Sequence, residues 1–325
     1  MILVSYGTRP EWIKVKTIIQ KLKDEGLPVL VLFTGQQKDI GEFEYDVDIN
    51  IQDHKTNRLN NIITTIMCSG VFDNVSHVIV QGDTASSFAV ALSAFNLNIP
   101  ISHIEAGLRT YDKKNPYPEE SYRQMISCMA DYHFVPTEQD KQNLIAEKKN
   151  GEIHVVGNTV IDTLPKLDVK YEDTVLVTMH RRENIENMSE WFGAIEFLAS
   201  RYPLLEFIIP IHPNPVIKEK SNIFESVKVV DPMSHDELLA LIAKSRIIIT
   251  DSGGIQEESA FYRKKVLVCR KTTERPAENQ ILVEEPMNLN STFDSEVRDC
   301  VINIECPFGD GTSSKKIVEI LKCVI

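Results

Sequence analysis

The sequence predicts an α/β protein made of two doubly wound parallel-sheet domains. Three observations predict it. Short β-branched runs alternate with amphipathic segments from one end of the chain to the other, as parallel strands with helices on both faces do. The runs are continuous in apolar residues, which strands buried on both faces require. At 325 residues the chain is longer than one hydrophobic core usually serves, and it has enough strands for two sheets.

In order, "ILVSY", "VLVLFTG", "HVIVQGD", "ISHIEAG" and "YHFVP" read as strands of the first half. "VLVTMH", "EFIIPIH", "VKVVD", "RIIITD" and "KVLVC" do so in the second. Between them, residues 12–23, 84–95, 119–130, 137–147, 190–200 and 236–243 carry helical periodicity. There is no repeat and no low-complexity linker, so the boundary is expected around 157–170, in "HVVGNTVIDTL". The closing "SSKKIVEILKCV" reads as a helix with Ile317, Ile320, Leu321 and Val324 on its apolar stripe.

Composition narrows the function. Apolar content of 42% and charged content of 25% are those of a soluble globular protein. No apolar run approaches the ~18 residues of a membrane span. The opening "MILVSYGTRPE" lacks a basic leader region and reads as a first strand. The six cysteines are scattered without a C-x-x-C pair, which argues against a zinc site or disulfide framework and for a reducing cytoplasm. A net charge of −12 excludes a broad nucleic-acid surface. Local cations remain for an anionic ligand: Arg9 and Lys14, the run His180-Arg181-Arg182, and Arg275.

Ligands of open parallel sheets bind at the carboxyl ends of the strands, and two such domains facing one another would share a cleft there. Polar residues collect at those ends. "GTRPEWIK" offers Arg9 and Lys14, although a capped helix with surface cations explains the segment equally well. Asp83 in "QGDTASS" suits an N-cap. Glu105 in "SHIEAGLRT" ends a strand and has no helix-periodic role. Glu119 and Glu120 in "YPEESYRQ" open a helix, where acidic residues suit the dipole. "MHRREN" places His180 and two arginines after a strand, as phosphate contact would need, and His212 ends another. "IIITDSGGIQEESA" runs from a buried strand through Ser252-Gly253-Gly254 into a helix. The unpartnered N–H groups of such a helix start favour a phosphate. A Glu one turn in suits a sugar diol. No Ser-His-Asp ordering, Walker motif or G-x-G-x-x-G is present.

Taken together, "GTRPEWIK", "QGDTASS", "HIEAGLRT", "YPEESYRQ", "GNTVID", "HRREN", "DSGGIQEE" and "TTERP" resemble, in order and spacing, the non-hydrolysing UDP-N-acetylglucosamine 2-epimerases, and "PFGDGTSSKKIVEIL" resembles their C-terminal end. The resemblance covers nearly the whole chain. It implies a GT-B-type fold with the active site in the interdomain cleft: an N-terminal Rossmann-like domain over 1–160, a UDP-binding one over 161–306, and a segment over 307–325 crossing back to the first. It implies interconversion of UDP-GlcNAc and UDP-ManNAc by a homodimer without metal or nicotinamide cofactor.

The resemblance also implies roles. Asp83, Glu105 and Glu119 match the family's acidic catalytic set. Arg9, Lys14, His180 and Arg275 would lie near the phosphates or the leaving group, with His180 counted among the catalytic residues. Ser252, Gly253 and Gly254 would meet the diphosphate, Glu258 the ribose, and His212 the nucleotide side. Some positions depart from the family. Gln37 replaces the His of a Gln-His pair in the segment that helps form an allosteric UDP-GlcNAc site, and the stretch to about residue 56 is trimmed, so the resemblance leaves activation by substrate open. "HRRENIEN" lacks the usual Gly, and "ERPAEN" the Glu after Pro. The alternatives are a 2-epimerase of a modified UDP-HexNAc, such as a diacetamido uronic acid, and a catalytically silent nucleotide-sugar-binding protein.

Overall fold

Apolar runs and turn chemistry produce thirteen strands and eleven α-helices among the described residues. The computed structural model describes residues 1–38, 41, 43–49, 51, 57–302 and 304–325, apart from the Arg182 side chain; part of the trimmed stretch ending at residue 56 therefore lies outside the described residues. The chain divides into two compact units, residues 1–164 with 308–325 and residues 165–307.

The first unit begins with β1 (Ile2–Tyr6), α1 (Arg9–Asp24), β2 (Val29–Phe33), β3 (Val47–Asp48), α2 (Arg58–Met67), β4 (His77–Gln81) and α3 (Ala85–Asn96). It continues through β5 (Ile101–Ile104), α4 (Glu119–Met129), β6 (Tyr132–Val135), α5 (Glu138–Ala146) and β7 (Glu152–Val155). Its seven parallel strands lie in the order β3-β2-β1-β4-β5-β6-β7. The two-residue period of β1 sorts its side chains. Ile2, Val4 and Tyr6 pack with Val15, Ile18 and Leu22 of α1, while Leu3 faces the opposite core with Val78, Val80 and Ala89. Strand order reverses between β1 and β4, so the loops after these two strands diverge and open a crevice at their carboxyl ends. Local signals fix the helices. Pro10 stands in the first turn of α1, and Thr137 and Asp140 form a reciprocal capping box on α5.

The second unit contains β8 (Thr174–Thr178), α6 (Met188–Arg201), β9 (Glu206–Pro210), α7 (Pro215–Lys220), β10 (Lys228–Val230) and α8 (His235–Lys244). It ends with β11 (Ile247–Thr250), α9 (Gly253–Phe261), β12 (Lys265–Val268), β13 (Gln280–Leu282) and α10 (Pro286–Glu296). Its six parallel strands follow the order β10-β9-β8-β11-β12-β13, with the reversal between β8 and β11. Val175, Val177, Ile247 and Ile249 meet Trp191, Phe192 and Ile195 of α6 in its core.

The last helix, α11 (Ser313–Val324), belongs to the first unit. Asp162 accepts hydrogen bonds from the Ser313 and Ser314 N–H groups at 3.0 and 2.6 Å, which satisfies its free N-terminus. Thr17 and Ser314 share a hydroxyl bond of 2.6 Å, and Lys322 pairs with Glu25 at 2.5 Å, so α11 runs parallel to α1. Ile317, Val318 and Leu321 are buried against α1. Val324, expected on the stripe, is instead exposed: Glu25 already lies beyond the end of α1, and the last turn of α11 overruns its neighbour. All ten strands expected from sequence are present. The three additional ones, β3, β7 and β13, lie at sheet edges and are partly exposed, so they lack the continuous apolar signature.

Three histidines, His77, His103 and His133, are buried inside the first sheet. Burial lowers the pKa of His77 and of His103 to about 4, and both are neutral at pH 7. His103 Nε2 bonds the Gly82 carbonyl at 2.8 Å, which requires the Nε2-protonated tautomer. In the unfolded chain each titrates near 6.5. Between pH 6.5 and 4 the unfolded state binds more protons, so stability falls as pH drops through that window, by up to about 1.4 kcal/mol per pH unit per histidine. We expect urea midpoints to fall between pH 7.5 and 5.5, and to fall less steeply in His103→Gln. An identical pH slope in that variant would contradict the assignment.

Candidate functional site

The loops at the carboxyl ends of β1, β4 and β5 concentrate charge. Glu105, directly after β5, is buried and adopts a left-handed backbone conformation with φ of 63°. A non-glycine residue there carries strain of about 1–3 kcal/mol and is held by its surroundings. The surroundings are specific. Lys14 Nζ donates to both Glu105 oxygens at 2.7 and 2.6 Å. Asn158 Nδ2 donates to Oε1 at 3.0 Å, and Gln81 Nε2 donates to Oε2. A cation and two amides therefore fix one carboxylate at a strand end.

Asp83 follows Gly82, and a Cβ built on Gly82 would lie 3.7 Å from Glu105 Oε2, so the two acidic residues occupy adjacent loops. Arg123 of α4 donates from Nε to Asp83 Oδ2 at 2.8 Å and also approaches Glu120 at 3.3 Å. Glu120 is fully buried and accepts from the Thr110 and Tyr111 N–H groups, both at 3.1 Å. It braces the loop after Glu105, while Glu119 opens the same helix half-buried.

Beneath these loops Glu11 acts as a hub. Its buried carboxylate accepts from Gly7 N at 3.0 Å and from the hydroxyls of Thr8, Thr84 and Ser87, each at 2.8 Å. Burial raises its pKa, and these four donors oppose the rise. The hub ties the turn after β1 to the turn after β4. Arg9, the first residue of α1, is exposed, and its N–H donates to Gln37 Oε1 at 3.1 Å.

The second unit gathers cations at the start of α9. Ser252 is its N-cap residue and makes no side-chain cap bond, so the dipole end is uncapped by that side chain. A Cβ built on Gly253 would lie 3.0 Å from Arg275 Nη1 and 3.3 Å from Arg181 Nη2, so two guanidinium groups crowd this N-terminus. Burial, followed by the charge of Arg270, lowers the pKa of Arg181. Arg275 is anchored through Nε to Glu257 at 3.0 Å, and Arg270 to Glu183 and Glu274, both at 3.0 Å.

Asp251 is fully buried and accepts from the His180 and Arg181 N–H groups at 3.1 and 3.0 Å and from Asn184 Nδ2 at 3.0 Å. It therefore shapes the turn carrying His180. The His180 and His212 rings stack with centroids 5.5 Å apart and planes at 20°. Burial lowers the His180 pKa, with Asp251 opposing and His212 and Arg181 assisting. Glu258, buried one turn into α9, is bonded by His235 Nε2 at 2.8 Å.

The family model described as UDP-N-acetylglucosamine 2-epimerase matches residues 22–322. The chain belongs to the UDP-N-acetylglucosamine 2-epimerase family. It is similar to the UDP-N-acetylglucosamine 2-epimerase of Neisseria meningitidis, at 36% identity covering 98% of each chain. The crystal structure of UDP-GlcNAc 2-epimerase from N. meningitidis bound to UDP-GlcNAc superposes with a TM-score of 0.87 at 35% identity, covering 99% of each chain. The Methanocaldococcus jannaschii UDP-GlcNAc 2-epimerase in complex with UDP-GlcNAc and UDP gives 0.80 at 28% identity, again over 99% of each.

In this 2-epimerase-family chain the expected residues fall into two groups. Lys14, Asp83, Glu105 and Glu119 stand in the first unit's strand-end loops and helix starts. His180, His212, Ser252, Gly253, Gly254, Glu258 and Arg275 stand at the corresponding end of the second unit's sheet. Lys14, expected near the phosphates or the leaving group, has its ammonium engaged by Glu105. Sequence reasoning gave no role to Glu11, Gln81, Arg123, Asn158 or Asp251, because their partners lie far away in the chain. Only Glu11 carried a local signal, standing three residues after Thr8 as in a capping box.

Removal of the hub tests its weight. Glu11→Ala leaves a buried N–H and three hydroxyls without their acceptor, at about 1–3 kcal/mol for each group that finds no other. We expect a loss of at least about 3 kcal/mol in denaturant unfolding, and a smaller loss in Glu11→Gln. Equal stability of Glu11→Ala and the parent would contradict the hub.

Proposed function

We propose that the chain interconverts UDP-GlcNAc and UDP-ManNAc by eliminating UDP and adding it back. One observation carries the reading: Glu105 is a strained, buried carboxylate pinned by Lys14, Gln81 and Asn158 beside Asp83 at the carboxyl ends of β4 and β5. The family membership supplies the substrate class.

The hydrogen on sugar carbon 2 is not α to a carbonyl, so its direct removal is slow. Departure of UDP first leaves an oxocarbenium-like sugar, which acidifies that hydrogen. A carboxylate then takes the proton and a glycal forms. Protonation from the opposite face, with UDP adding back to carbon 1, inverts carbon 2. Two faces need two acid/base groups, and Asp83, Glu105 and Glu119 are the set assigned to them. An ammonium at 2.6 Å favours the ionised form of Glu105, which suits a base.

UDP departs carrying negative charge, and preorganised cations stabilise that charge. Arg181 and Arg275 at the start of α9, with the N–H groups of Gly253 and Gly254 and the Ser252 hydroxyl, are assigned to the diphosphate. Arg9 is assigned to the phosphates or the leaving group. Glu258, oriented by His235, is assigned the ribose hydroxyls, His212 the nucleotide side, and His180 the leaving group. Desolvation shifts His180 toward its neutral form, which can donate one hydrogen bond without a full charge. The family resemblance extends the proposal to a homodimer in a reducing cytoplasm.

Incubation with UDP-GlcNAc or UDP-ManNAc, with chromatographic separation of the two, should reach one mixture from either side. Glu105→Gln and Asp83→Asn should lower kcat by about 10²–10⁴-fold while keeping UDP affinity by calorimetry. Glu258→Ala should instead weaken UDP by about tenfold or more. Losses in the reverse pattern would overturn the division of roles.

A further inference from the structure

Asn158 lies on the segment by which the chain leaves the first unit, and Phe308 begins the segment by which it returns. The two segments touch. Asn158 N donates to the Phe308 carbonyl at 2.7 Å. Gly157 has φ of 91°, and a Cβ there would lie 2.6 Å from Ser313 Oγ, 2.8 Å from the Phe308 carbonyl and 3.1 Å from Gly309 Cα. Gly309, with φ of 109°, faces it in turn: its own Cβ would lie 3.3 Å from Gly157 Cα. Only a glycine pair permits this approach without displacing backbone. The Asn158 side chain is fixed as well. Its Oδ1 accepts from Val160 N at 3.2 Å, which leaves Nδ2 aimed at Glu105 Oε1 at 3.0 Å. Asp162, four residues on, holds the start of α11.

A continuous path therefore runs from the returning segment through the Asn158 backbone to the carboxylate. We propose that Asn158 is a positioning residue for Glu105 and that the returning C-terminal segment sets its placement through the Gly157–Gly309 contact. The inference rests on the assignment of Glu105 to proton transfer. It adds a role for a residue outside the assigned site set, and it makes the last eighteen residues part of the catalytic apparatus as well as of the core. Loss of Nδ2 removes one of the donors that favour the ionised carboxylate and frees it to rotate about its χ angles. The chemical step then slows while UDP, assigned to the other unit, binds as before.

The test uses the full chain. Asn158→Ala should lower kcat by about 10- to 100-fold, as expected for a lost hydrogen bond to a charged group, with KM nearly unchanged. The acid limb of its kcat–pH profile should move to higher pH, because the remaining donors hold the ionised form less strongly. Gly309→Ala should slow turnover in the same direction with the Asn158 side chain intact. UDP calorimetry and thermal unfolding report whether each variant is folded. A folded Asn158→Ala with parental kcat and an unmoved acid limb would overturn the proposal. An active Glu105→Gln would instead overturn the reading beneath it, so the two failures are distinguishable. Should Asn158→Ala not fold, Asn158→Ser keeps a small polar side chain that cannot span to Glu105, and the same two outcomes decide.

Discussion

A carboxylate that must remain an anion inside a protein needs its charge answered on the spot, and Glu105 has this answered by Lys14 and two amides. Much of the first unit follows from that need. Lys14 reaches Glu105 because α1 starts directly after β1 and packs on the sheet face that also carries Ile79 and Ile104. Gln81 reaches it because β4 and β5 pair in register, with Gln81 opposite Ile104. Asn158 reaches it because two glycine-containing segments approach at backbone distance. The left-handed backbone at Glu105 is sustained by this network, and the neutral His103 beneath it holds the Gly82 carbonyl in the adjacent turn.

The second unit solves the converse problem. Its strand-end loops gather cations, and two of the guanidinium groups are tethered by carboxylates: Arg275 by Glu257, Arg270 by Glu183 and Glu274. Arg181 crowds the start of α9 beside Arg275, and burial penalises its charged form. An anion placed there would relieve the repulsion among the arginines and satisfy the helix N-terminus together. Asp251 keeps the turn rigid enough for this by taking the N–H groups of His180 and Arg181.

Which parts were legible beforehand follows the same logic. Central strands announce themselves because burial on both faces demands unbroken apolar runs, as in "ILVSY" and "RIIIT". The edge strands β3, β7 and β13 escape because half their surface faces solvent. The candidate residues were legible as strand-end polar motifs, and their family order gave the substrate class. Their partners were not. Lys14 and Glu105 are 91 positions apart, and Asn158 and Glu105 53 apart, so no local pattern joins them. Asp251 reads as the end of a strand and proves to be a backbone clamp, a role visible only once β8 and β11 lie side by side. Val324 follows the helical period yet is exposed, since periodicity cannot tell where the neighbouring helix stops.

The elimination and re-addition chemistry is tested most directly by a proton NMR time course with UDP-GlcNAc in deuterated water. UDP-ManNAc carrying deuterium at carbon 2, with little free sugar, is the predicted result, because the proton removed by a carboxylate exchanges with solvent before return. UDP-ManNAc retaining its original hydrogen at carbon 2 would contradict proton abstraction by these carboxylates, and no conversion despite UDP binding would contradict the activity itself.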